Sequence, residues 1–378
     1  MNIPPPLGNE VARGYLGRIN RLNGDLPIHI LRQRLYDFFR DEDSQVGNRD
    51  WAPLLVKASG LSLEKFVREH TFLPFLRTVH PSAGIAHGTS GSQFRINIAS
   101  IALPDNCARF CEICIQSDLR STGAVYWRRH HQLRGVVLCI EHGSVLLQAD
   151  QAALVRGMPS DVQELAIALP HSVTEAAQKN DAIRRYAYIC GALLNGIHPI
   201  SAKQAATRLA ARAAVHGLRI SPIGTKKTLS DLTIATVAGP WLAEFFPHLS
   251  NKRPGEYIAK FDGTCLSRNT SYHVSSYALA LAVLWDCPDD AIDEFRRPLN
   301  QVVAPTNSEV FVQENSNTNI ILHSTLLSNN TKNQEQILND ALRRFMSGVS
   351  LASASEQHGL HPTELEDVLR NLLARAEA

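Results

Sequence analysis

Cys111-Glu112-Ile113-Cys114 is followed, after twenty-four residues, by Cys139-Ile140-Glu141-His142. Each knuckle offers two soft or borderline donors two residues apart, so three thiolates and one imidazole can converge on one ion, the tetrahedral donor set that zinc favours. Because protein would fill all four positions, none is left for water or substrate, and the expected ion is structural Zn2+ rather than catalytic. Cys107 lies four residues before the first knuckle, at the wrong spacing for a pair. Cys190, Cys265 and Cys287 sit in apolar helical or turn contexts and are expected as small core residues.

Between the knuckles the chain carries Arg120, Arg128, Arg129 and Arg134, with no acid from Leu119 to Ile140. Tyr126 and Trp127 interleave with these cations, the pairing that suits phosphate and base contact, so the four arginines are the candidate residues for nucleic acid or an acidic partner. Trp127, Leu133 and Val136 are expected to close the core of the finger. Other chemistry is hard to find. There is no Gly-x-x-x-x-Gly-Lys-Ser/Thr loop, no His-Glu-x-x-His and no Gly-x-Ser-x-Gly. Asp289, Asp290, Asp293 and Glu294 cluster after Pro288, where they serve a helix N-terminus through its dipole. No catalytic residue is assigned, and the chain is expected not to be an enzyme.

The elements that must position these residues are mainly helical. Val11, Tyr15, Leu16, Ile19 and Leu22 recur at helical spacing and stop at Asn23-Gly24. Further helices are expected over 27–39, 51–58 and 62–69. The last two are joined through Gly60 and capped by Ser62, in the manner of a helix-turn-helix. Residues 81–106 are rich in Gly, Ser and Pro and mark a linker. Helical periodicity returns over 182–194, 202–216, 240–249 and 272–285, with Lys203, Arg208 and Arg212 along a solvated face. Residues 301–334 form an Asn-rich connection with a small hairpin, and 335–378 end the chain in a second helix-turn-helix-like set. Its would-be reading helix bears Thr363, Glu364, Glu366 and Asp367, and acids repel phosphate. The fold class expected is therefore mainly α, in five parts around the linker: an N-terminal helix-turn-helix-like domain (1–80), a small zinc ribbon or finger (107–150), an all-helical domain (151–300), the connection and the C-terminal helices.

Composition narrows the partners. With 38 Lys+Arg against 36 Asp+Glu the net charge is +2, so nucleic-acid affinity must come from local patches rather than from a global field. The longest apolar run, Tyr277 to Trp285, is about half of what a bilayer crossing needs. Met1-Asn2-Ile3-Pro4-Pro5-Pro6 lacks the basic start and apolar core of a secretory signal, and an odd cysteine count argues against disulfides. The expected location is the reducing cytoplasm, with no membrane partner.

The finger and the first helix together resemble a known family. Phe110-Cys111-Glu112-Ile113-Cys114-Ile115, Tyr126-Trp127-Arg128, His131-Gln132-Leu133 and Val136 to Leu147 are similar to the TniQ family of transposition proteins. That family shows a Cys-Pro-x-Cys knuckle, an aromatic stretch ending in Trp-Gln-Leu, and Cys-x-x-His-Gly followed by Leu-Leu. Gly14 to Gly24 resembles its opening helix, Ser-x-Leu/Phe-x-Arg-x-Ala-x-x-Asn-Gly. The resemblance covers about the first 150 residues; Tyr272 to Leu281 is more faintly similar to the related TnsD target selectors. Glu112 stands in place of the family's Pro and His131 in place of its Trp, and a further Cys pair of some relatives is missing. The resemblance implies a homodimeric, non-enzymatic adaptor that links a target reader to the AAA+ transposition ATPase. The reader is an RNA-guided CRISPR Cascade-type effector with its guide RNA in one branch, where the guide reads sequence and the adaptor grips protein. In the other branch the adaptor binds target DNA itself. The competing class is a stand-alone zinc-finger and helix-turn-helix DNA-binding protein that recognises a DNA site or regulates transcription.

Overall fold

A computed structural model describes residues 1–40, 51–80, 83, 85–88, 107–266 and 271–298. The expected Asn-rich connection with its hairpin, the expected C-terminal helix set, most of the expected 81–106 linker and residues 41–50 lie outside the described residues. All the described residues belong to one compact unit. Within it the architecture is mainly α, as the periodicity predicts, with one small sheet.

Helices Ala12–Leu22, Ile28–Arg40, Trp51–Ser59 and Leu63–His70 occupy the expected spans to within two residues. Their apolar faces converge on Tyr15, Leu16, Ile19, Leu35, Leu54 and Phe66. Gly60 turns at φ +67°, and Ser62 caps the next helix by accepting from the Lys65 amide. At Gly17 an added Cβ would lie 2.7 Å from the Leu154 carbonyl oxygen and 2.8 Å from that of Val155. Only a glycine there lets the first helix lie against helix Ala153–Arg156.

The sheet was not legible in the pattern. Strand β1 (Cys107–Phe110) pairs antiparallel with β2 (Leu147–Asp150), which pairs antiparallel with β3 (Ile167–Ala168). It brackets the two knuckles, and its neighbours continue into the helical half: β1 aligns Phe110 with Leu147 on either side of the finger. One apolar core runs from Val11 through Trp127, Leu133 and Val136 to Phe295. The residues expected as a separate finger over 107–150 are thus continuous in packing with those on both sides.

In the helical half, Asp181–Leu194 packs on Val274–Leu284, all eleven residues of which are buried. Ser201 caps Ala202–Val215, and Pro288 opens Pro288–Arg296 as its sequence suggests. Three expectations need correction. The helix expected over 240–249 is two, Gly239–Phe245 and Pro247–Ser250, because Pro247 has no N–H to continue the ladder. Arg208 and Arg212 are not merely solvated: Arg208 pairs with Glu294 at 2.8 Å, and Arg212 donates to the Leu284 carbonyl while lying over the Trp285 ring. Cys287 is exposed rather than core, since it sits at the cap position before Pro288, whereas Cys190 and Cys265 are buried.

Among the described residues, no helix is long and apolar enough to cross a membrane.

Candidate metal centre and its arginine braces

Each knuckle is shaped by its own backbone. Cys111 is the N-cap of helix Glu112–Thr122, and its sulfur accepts from the Cys114 amide at 3.5 Å, which turns both side chains to one side. In the second knuckle the Gly143 amide donates to the Cys139 carbonyl at 2.7 Å, and the Cys139 amide donates to the Ser144 carbonyl at 2.8 Å. Gly143 takes φ +65°, a conformation glycine adopts without strain. The loop is therefore tight enough to bring His142 back over Cys139.

The four side chains meet. Cys114 Sγ lies 3.7 Å from Cys139 Sγ, and His142 Nδ1 lies 3.6, 3.3 and 3.5 Å from the sulfurs of Cys111, Cys114 and Cys139. All four donor atoms fall within 4.8 Å of one another. A tetrahedral zinc with ordinary bond lengths requires about 3.8 Å between sulfurs and about 3.6 Å between sulfur and nitrogen, so the cluster has the dimensions of a filled tetrahedron. The three cysteines are buried and His142 is exposed. The donor set can hold a metal ion, which would cross-link the two knuckles.

The thiols already share charge. Hydrogen bonds from Cys114, Cys139 and Ser144 hold the Cys111 thiol far below its ordinary range, and Ser144 Oγ is 3.0 Å from the Cys111 sulfur. Cys114 and Cys139 are pushed up, chiefly by their hydrogen bonding to Cys111, because a second anion so close is unfavourable. A dication removes that conflict by stabilising all three thiolates at once.

A second grouping was missed in the sequence. His130, His131 and Cys139 also bring their donor atoms together, and His131 Nε2 lies 3.9 Å from Cys114 Sγ. The adjacent His130-His131 pair is its signal in the sequence. Burial holds both rings neutral, with His131 shifted well below its usual value and His130 to about 4. Cys139 belongs to both groupings, and only the four-residue set uses all three thiols and closes the coordination sphere.

The arginines divide sharply. Arg128 bridges the knuckles: one guanidinium nitrogen lies 2.6 Å from Asp118 on the finger helix, the other 2.7 Å from Glu141 beside the second knuckle. It also stacks over Tyr126, 5.1 Å from the ring centre. Arg129 is 1% exposed. Its guanidinium donates to Arg68 O at 2.6 Å, Thr71 O at 2.8 Å, Asn9 Oδ1 at 2.8 Å and Asn195 Oδ1 at 3.2 Å. Both are internal braces, held by acids and carbonyls from distant segments that sequence spacing cannot reveal. Arg120 and Arg134 are exposed.

The N-terminus is welded to this site. Val11 N donates to Trp127 O at 2.8 Å, and Arg129 N donates to Asn9 O at 2.9 Å. Glu10, buried between them, takes both oxygens of its carboxylate to Arg18, the arginine of the opening-helix pattern. The first helix and the finger thus form one block with the Cys/His cluster at its edge. The TniQ family model matches residues 2–146, which is that block. The chain carries a TniQ domain. It is accordingly a transposition-associated protein. No curated protein matches the chain.

Proposed function

We propose that this TniQ-domain chain is a non-enzymatic target-selection adaptor of transposition, linking a target reader to the AAA+ transposition ATPase. The observation that carries the reading is the match over residues 2–146, coextensive with the helices and knuckles that Arg128, Arg129 and Arg18 brace together. A rigid block of that kind suits a protein that must hold two partners in fixed relation. The ion at Cys111, Cys114, Cys139 and His142 is zinc in a structural role, supported by donor spacing and thiol-rich chemistry. The adaptor acts as a homodimer, and its reader is either an RNA-guided Cascade-type effector or the target DNA itself.

Affinity purification of the tagged full chain from its host, at moderate salt and with nuclease, followed by mass spectrometry and RNA sequencing, tests this. Recovery of a transposition ATPase, or of a CRISPR effector with its guide, is expected. The competing stand-alone DNA-binding reading draws support from the Gly60-turned, Ser62-capped helix pair. Recovery of neither partner, together with tight salt-dependent binding of the lone protein to one duplex site, would replace the adaptor reading with it.

A further inference from the structure

Arg134, in the stretch between the knuckles, borders a cavity. The recess, about 270 Å³, is bordered by Arg134, Phe246, His248, Lys260, Tyr272 and His273. Among the described residues, no aspartate or glutamate lines it. The side chains of Arg134 and Lys260 are exposed. Among the described residues neither makes an ion pair or a side-chain hydrogen bond, whereas Arg18, Arg128 and Arg208 are each paired with a carboxylate.

The base of Arg134 is nonetheless fixed. Tyr186 Oη donates to the Arg134 carbonyl at 2.8 Å, and Trp241 Nε1 donates to the Gly135 carbonyl at 3.0 Å. Gly135 turns at φ +78°, and a Cβ there would strike Trp241 and Tyr186 at 2.9 and 3.0 Å. A rigid backbone therefore presents a free guanidinium, the arrangement that limits the entropy lost on binding. The start of helix Val274–Leu284 borders the recess through His273, Ser275 and Ser276, with the Ser275 amide capped by the His273 ring. Positive potential converges on this point. Beyond burial, the field of Lys260 and Arg134 disfavours protonation of His248, and that of Arg134 disfavours protonation of His273.

We propose that this recess binds a backbone phosphate of a nucleic-acid strand, with Arg134 and Lys260 as the two cations that grip it. Two unpaired cations beside a hollow that no described carboxylate lines call for an anion, and the aromatic backing of Phe246 and Tyr272 suits the sugar and base beside it. The inference deepens the nucleic-acid side of the proposed function and rests on it only for the class of ligand: the binding test reads the recess on the lone protein, so its failure is distinct from a failure to recover an ATPase or an effector.

The test uses the full chain and fluorescence polarisation with a labelled 20-nucleotide DNA, single-stranded and duplex, across a salt series. Arg134→Gln/Lys260→Gln is compared with a charge-matched control, Lys203→Gln/Lys226→Gln, both checked for an unchanged melting temperature. The cavity variant is expected to bind about ten-fold more weakly and to lose about two units of the slope of log affinity against log salt, regardless of sequence, while the control changes less than two-fold. Arg134→Lys, which keeps the point charge, should recover most of the slope. Equal effects of the two double variants, or no binding by the wild type, would overturn the proposal. Displacement of the oligonucleotide by inorganic phosphate at matched phosphate concentration would also overturn it, since that site would take free phosphate rather than a strand.

Discussion

Gln132 closes two hydrogen bonds on the backbone of Arg109: its Nε2 donates to the Arg109 carbonyl at 2.7 Å, and its Oε1 accepts from the Arg109 amide at 2.8 Å. A side-chain amide thereby acts as an extra rung for β1, on the side away from β2. Both residues are buried, so neither backbone group has water as an alternative. Gln132→Ala should therefore cost about 3 kcal/mol through two unsatisfied backbone groups. Gln132→Glu should cost more at pH 7, because a carboxylate keeps the acceptor, loses the donor and buries a charge. Urea denaturation followed by circular dichroism gives both values. A variant Gln132→Ala within 0.5 kcal/mol of wild type, on the order of ordinary surface substitutions, would refute the rung.

Arg129 reaches further. Its four acceptors, from Asn9, Arg68, Thr71 and Asn195, belong to the N-terminal segment, the end of helix Leu63–His70 and the end of helix Asp181–Leu194. Arg129→Ala leaves the part-buried Arg68 carbonyl and the buried Thr71 carbonyl without their donor, and a loss of about 3 kcal/mol is expected. Arg129→Lys retains the charge but cannot reproduce the planar fork, so it should recover less than half of that loss. Because one side chain ties both halves, protease cleavage after partial unfolding should appear in the N-terminal helices and in the 181–194 region together. Cleavage confined to one half would show that the brace is local.

Much of this organisation is written in local pattern and much is not. The knuckles, the Ser62 cap, the Pro288 start and the helical faces depend on neighbours within a few residues, and the sequence spacing finds them. Arg128 and Arg129 are different: adjacent arginines with no nearby acid look like a surface ribbon until Asp118, Glu141 and the carbonyls of remote segments close around them. The sheet was hidden for a related reason. Its strands are two to four residues long, too short for alternation to register, and β1 and β2 are separated by the whole finger. Gly17 gave no local sign of its role either, since Leu154 and Val155, against which it packs, lie far along the chain.

Metal removal should expose a defined set of thiols. In the native protein Cys287 is exposed and should label first with a thiol reagent, while burial pushes Cys190 and Cys265 up to about 12 and keeps them inert. A chelator should add Cys111, Cys114 and Cys139 to the reactive set and release close to one metal ion per chain. Cys139→Ala should do the same without chelator and lower the melting temperature by several degrees for the whole compact unit, because Cys139 sits in the core that runs from Val11 to Phe295. Full labelling resistance after chelation, or an unchanged melt in Cys139→Ala, would contradict the site.

His70 sets an acid limit on stability. Its ring is buried, with Nδ1 2.9 Å from the Glu10 carbonyl, so the neutral ring donates there and ties helix Leu63–His70 to the N-terminal segment. Burial lowers its pKa to about 4, against an ordinary value of 6.5. The folded state thus refuses a proton that the unfolded chain accepts. Above pH 6.5 this contribution is fully present; it is lost as pH falls through 6.5 towards 4, where the total reaches about 3 kcal/mol. His70→Asn keeps a side-chain donor near the Nδ1 position and cannot titrate. It should flatten the decline in unfolding free energy between pH 6.5 and 4.5 relative to wild type, as read from urea midpoints at each pH. Parallel pH curves for the two proteins would place the acid sensitivity elsewhere, for instance at His87, which burial also holds at about 4.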